Sequence, residues 1–122
     1  MTGFLIPAMF AGLIAFAHVI AGGREIAQPL LRQTVLPLNV TLTHYFCWHM
    51  ATISLLALSG AYGYAAIYPD GRVLAIFATM ISALFCVWGL ALVIWKRQPH
   101  RDMPQWILFA GQTASALWVL LL

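Results

Sequence analysis

The sequence predicts an all-α integral membrane protein with four transmembrane helices in an up-down-up-down bundle. Three observations carry that prediction. Hydrophobic residues make up 63% of the 122 residues and charged residues only 7%, where a soluble domain devotes about a quarter of its residues to charge. Mean hydropathy is +0.91, so there is too little polar surface to cover a water-soluble globule. The apolar residues also gather into four runs near the roughly 20 residues that a helix needs to cross hydrocarbon. Helix is the open choice, because a lone strand leaves its backbone hydrogen bonds unmade in lipid.

The first run covers residues 3–22 and is expected to end at Gly22-Gly23. Ala15-Phe16-Ala17 resembles a leader cleavage site, but basic residues follow this run and none precedes it, which favours an uncleaved span. Pro29 and Pro37 punctuate the loop that follows. Its Ile26, Leu30, Leu31, Val35 and Leu36 suit a short piece lying on the membrane surface. The second run, 39–68, takes Asn39 as its expected N-cap. At roughly 45 Å as a helix it exceeds a hydrocarbon core of roughly 30 Å, so its polar start, Asn39 to Tyr45, is the part expected to protrude. Pro69-Asp70-Gly71 is a tight turn into the third run, 72–95. Asp102-Met103-Pro104-Gln105 reads as a capping box opening the fourth, 103–122.

Short connections favour consecutive helices as neighbours in one domain, residues 1–122. Small residues four apart let backbones approach: Ala8 and Gly12, Ala17 and Ala21, Ser59 and Gly63, Ser82 and Cys86, Gly111 and Ser115. Cys47 and Cys86 both sit in apolar runs without a CxxC pattern and read as small buried hydrophobes.

Five of the six basic side chains, Arg24, Arg32, Lys96, Arg97 and Arg101, fall in the first and third loops, against Arg72 alone in the second. That asymmetry places those two loops in the cytoplasm and both termini outside, in a bacterial inner membrane. It also accounts for the net charge of +3 without a phosphate-tracking stripe, which argues against a nucleic-acid partner. Trp95 and Trp106 then flank one interface, and Tyr62, Tyr64, Tyr68 and Trp118 cluster toward the other.

The polar side chains that remain concentrate at the basic end. His44 and His49, within Thr43-His44-Tyr45-Phe46-Cys47-Trp48-His49-Met50, are five positions apart and so point about 140° apart on a helix, a poor clamp for one metal. His44 shares its face with Cys47 and Trp48, and His49 with Tyr45, Thr52 and Ile53. His18 on the first span is expected at the depth of His49, within reach across antiparallel neighbours. Arg24 and Glu25 lie at the mouth, and Gln105 and Gln112 enter the same region from the fourth span.

His18 with His49 (or His44), histidines on different helices, can supply both axial ligands of haem b. His18, His49 and Glu25 are alternatively a donor set for a transition metal. The same groups with Arg24 suit a lipid, quinone or transported solute in a small dimeric carrier. Against these stands a plain interfacial role, with the histidines satisfied by headgroups and neighbouring carbonyls. Neither GxSxG, HExxH, a P-loop nor a dinucleotide fingerprint is present. Size and this lack of catalytic motifs favour a non-enzymatic subunit or accessory protein of a larger membrane complex or homo-oligomer, in contact with the lipid bilayer.

Overall fold

The computed structural model describes residues 2–122. They form four helices, which we label α1 (Thr2–Arg32), α2 (Leu38–Ile67), α3 (Arg72–Trp95) and α4 (Gln105–Leu121), with no strand among the described residues. The first three, α3 counted with the turn before it, are long and apolar enough to cross a membrane. The 17 residues of α4 rise only about 25 Å.

The first helix does not stop at Gly22-Gly23. It opens with a 3₁₀ turn at Thr2–Phe4 and runs as regular α-helix over Leu5–Ala17. It then widens into a π-helix over His18–Ala27 and finishes as α-helix over Gln28–Arg32. The Gln28 N–H bonds the Gly23 carbonyl, five residues back. Each helical glycine costs about 1 kcal/mol relative to alanine, but a break here would strip partners from up to four N–H and four C=O groups. Continuing the helix keeps them bonded. It also lays the glycines against Trp48, where a Cβ on Gly22 would sit 3.8 Å from Trp48 Nε1. Pro29, expected in a loop, is instead in the first turn of the closing α-helical segment.

Neither expected cap forms. α2 starts at Leu38 directly after Pro37, and Asn39 lies inside its first turn without a capping bond. The connection is held by Gln33 instead. Its Oε1 accepts from the Leu36 N–H at 2.8 Å and its Nε2 donates to Thr41 Oγ1 at 2.6 Å. α4 likewise starts after Pro104 with no side-chain cap, while Asp102 meets Arg101 at 3.7 Å on the exposed surface. The Pro69-Asp70-Gly71 turn does form. Its glycine is required by space, since a Cβ on Gly71 would stand 2.6 Å from the Ala65 Cα.

The helices close a ring, α1 on α2, α2 on α3, α3 on α4 and α4 on α1. Between α1 and α4, Gly3 meets Val119, Pro7 meets Gln112 and Phe10 meets Gly111. Residue numbers rise along one helix as they fall along the other. The core at this end is built from alanine, with Ala8, Ala11, Ala65, Ala75, Ala78 and Ala116 around a fully buried Tyr62. Small side chains bring backbones close enough for cross-helix hydrogen bonds. Ser59 donates to the Ala8 carbonyl at 2.9 Å, and Tyr62 and Thr79 hydroxyls meet at 3.1 Å. Tyr62 is therefore a core residue and not part of the aromatic belt expected of it. Ala8 and Gly12 pack as expected of a small-residue pair, whereas Ala17 and Ala21 are exposed.

The opposite end is different. From His18 onward α1 touches α2 and neither α3 nor α4. α2, with 30 residues against 24 in α3, is about 9 Å longer. The last half of α1 and the start of α2 thus form a two-helix arm.

Candidate functional site

The arm is organised around Trp48. Its indole stacks on the His18 imidazole with ring centres 4.5 Å apart and planes 20° from parallel. His49 meets the same indole edge-on at 5.0 Å, and Tyr45 meets His49 edge-on at 4.6 Å. His18 is the only one of these rings on α1, and its placement follows from continuing the helix through Ala17. Its Nε2 lies 3.2 Å from the Trp48 carbonyl. A carbonyl only accepts, so the bond puts a proton on Nε2 and leaves Nδ1 without one in the neutral ring. That carbonyl also accepts from the Thr52 hydroxyl at 3.3 Å.

His18 and His49 therefore converge on one indole, and the contact that fixes His18 is with Trp48. His44 points elsewhere, as the five-residue spacing requires. It is exposed, with Nδ1 2.9 Å from the Val40 carbonyl of its own helix. Arg24 and Glu25 are both exposed, and no ion pair joins them among the described residues. Gln105 is exposed at the first position of α4.

Gln112 does not belong to this region. It lies seven residues further along α4, about 10 Å deeper, fully buried, with Nε2 donating to the Pro7 carbonyl at 3.1 Å. The expectation that it joins His18 fails on register, since Gln112 faces Pro7, 11 residues before His18 on α1, at the Tyr62 end.

No three His, Cys, Asp or Glu side chains come together to hold a metal ion among the described residues. Haem ligation through Nε2 of His18 would require breaking its bond to Trp48. The donor geometry thus favours neither the metal nor the haem reading.

A groove of about 340 Å³ runs along the arm, lined on α1 by Val19, Ile20, Gly23, Arg24, Ala27, Gln28 and Leu31 and on α2 by Tyr45 and Trp48. Gln28, Tyr45 and Trp48 are site residues that reading histidines and charges alone overlooks. The sequence shows the aromatic pair Tyr45 and Trp48 three positions apart on one helix; that they face Gly23, Arg24 and Gln28 depends on the register between helices. The π-helix over His18–Ala27 runs along the same place, an irregular geometry found frequently at functional sites.

At the same end of the bundle, the loop between α3 and α4 has its own aromatic contacts. Trp106 Nε1 donates to His100 Nδ1 at 3.1 Å, and the Lys96 ammonium lies 3.9 Å from the centre of the Trp95 ring. Comparison of the chain with protein-family models, with curated proteins and with solved structures finds no match.

Proposed function

We propose that this protein is a non-enzymatic subunit of a larger membrane assembly. In this reading its four helices cross the bilayer up-down-up-down as one domain, and the two-helix arm is the surface that engages the assembly. The carrying observation is that His18–Arg32 packs on α2 alone while Val19, Ile20, Ile26, Leu31, Leu42 and Phe46 stay 43–63% exposed along the arm. Apolar residues are exposed elsewhere too, as at Leu13, Met80 and Val87; what sets the arm apart is that two helices alone pack there, at the end where charge gathers. The gathering of Arg24, Arg32, Lys96, Arg97 and Arg101 at that end supports a cytoplasmic face in a bacterial inner membrane with both termini on the other side.

The test is site-specific photocrosslinking in native membranes. A crosslinker at Ile26 or Leu42 is expected to give a discrete higher-mass product, while one at Met80 or Val87 on α3 gives lipid adducts alone. Arm positions that crosslink only to lipid, with the protein isolated as a lone monodisperse monomer, would overturn the assembly role. Single cysteines at Thr34, Asp70 and Gln98, in a chain with Cys47 and Cys86 replaced by alanine, test sidedness. Labelling of position 70 from the cytoplasmic side would reverse the orientation.

A further inference from the structure

We infer that the arm groove binds the phosphate headgroup of an anionic phospholipid, with an acyl chain lying along Val19 and Ile20. This rests on the membrane placement proposed above and adds a ligand to that arm.

The first ground is the order of residues along the groove. Val19 and Ile20 lie toward the bundle, Arg24 and Gln28 lie one and two turns further out, and Trp48 and Tyr45 form the facing wall in the matching order. The site is apolar at Val19 and Ile20, where a chain would enter, and carries its polar side chains at Arg24 and Gln28, with Leu31 closing its outer edge. Tryptophan and tyrosine suit that boundary because each has an apolar body and one polar atom.

The second ground is the balance of donors and acceptors. Arg24, Gln28, Tyr45 and Trp48 all line the groove, and no hydrogen bond or ion pair among the described residues uses the guanidinium, the amide, the hydroxyl or the indole N–H they carry. Glu25, the nearest acid in sequence, is not among the lining residues, so the groove carries one uncompensated positive charge. A cluster of donors around a lone guanidinium selects an oxyanion, and the planar fork of arginine matches phosphate. The third ground is Gly23, which lines the groove without a side chain beside Trp48.

Phosphate oxygens could reach the site on a lipid or as the free ion, so the test carries both. The full chain is first reconstituted in phosphatidylcholine vesicles and extracted with alkaline carbonate. Failure to stay in the membrane would overturn the membrane reading and this site together. In detergent, binding of phosphatidylglycerol, phosphatidylcholine and inorganic phosphate is then followed by native mass spectrometry and thermal stabilisation. One phosphatidylglycerol per chain is expected to bind in preference to phosphatidylcholine. Arg24→Gln should weaken it roughly tenfold, the loss of one charge-assisted bond. Arg97→Gln, at the same end but outside the groove, should change it less than about twofold, as a screened surface charge does.

Equal losses from the two variants would reduce the effect to general surface charge and overturn the site, as would an unchanged Arg24→Gln. Stabilisation by inorganic phosphate as strong as that by lipid would overturn the lipid assignment. If Arg24→Gln does not fold, Gln28→Leu replaces it, with an expected loss of about threefold and the same overturning result if binding is unchanged.

Discussion

The two ends of the α1–α2 pair are built on different principles. At the Tyr62 end, four helices meet over alanines, and Tyr62, Ala75 and Ala116 lose all contact with the surroundings. At the His18 end, two helices meet through flat rings, and Trp48 and His18 stay half-buried. One end is held by packing from every side, the other by a ring stack, the His18–Trp48 hydrogen bond and the Gln33–Thr41 bond at its tip. Helices gain most of their stability from tertiary packing, so the first end should unfold with the bundle and the second should open by itself.

The sharpest way to break that contrast is to remove each anchor in turn. Tyr62→Ala deletes a fully buried aromatic ring and should cost about 3–5 kcal/mol, read as a loss of global resistance to denaturant in detergent. Gly71→Ala comes next. Its new methyl would press on the Ala65 backbone, an atom that cannot swing aside, and the expected cost is about 1–3 kcal/mol. Trp48→Ala should act locally, at about 1–2 kcal/mol. Amide exchange across His18–Arg32 should rise while exchange in α3 and α4 stays as it was. A Trp48→Ala protein as globally weakened as Tyr62→Ala would show that the arm is not a separate cooperative unit.

Much of this arrangement was legible in the residues. The runs at 39–68 and 72–95 match α2 and α3 to within a residue at each end, because prolines and glycines there coincide with real breaks. The first run was misjudged because Gly22-Gly23 is a weak helix former on its own account, and nothing in the local sequence reports the neighbour that stabilises it. Trp48 lies 25 residues beyond Gly23. Both caps failed for a related reason. Pro37 and Pro104 directly precede their helices, so the chain enters through proline and the nearby Asn39 and Asp102 have no capping position to occupy. The divergence of His44 and His49 follows from helical geometry alone and needed no partner. The burial of Gln112 depended on which stretch of α1 faced it, a question of register between helices that composition does not answer.

Gln112 supplies the smallest predicted effect and separates the two ends in another way. Its Nε2 has a partner in the Pro7 carbonyl, while its Oε1, like Ser82 Oγ, is buried without a hydrogen-bond partner in the protein. One side of the amide thus gains about 1 kcal/mol from its bond, while the other carries a desolvation penalty of about 1–3 kcal/mol. Gln112→Leu removes both at similar volume, and the Pro7 carbonyl, which retains its place in the helical ladder, is not orphaned. The change should therefore leave stability within about 1 kcal/mol of wild type, or raise it. Ser82→Ala, which deletes only an unpaired hydroxyl, should do the same. A loss above about 2 kcal/mol in Gln112→Leu would mean that Oε1 is satisfied by a bound water. The polar line through the Tyr62 end would then be a connected network, and its packing would no longer be chiefly apolar.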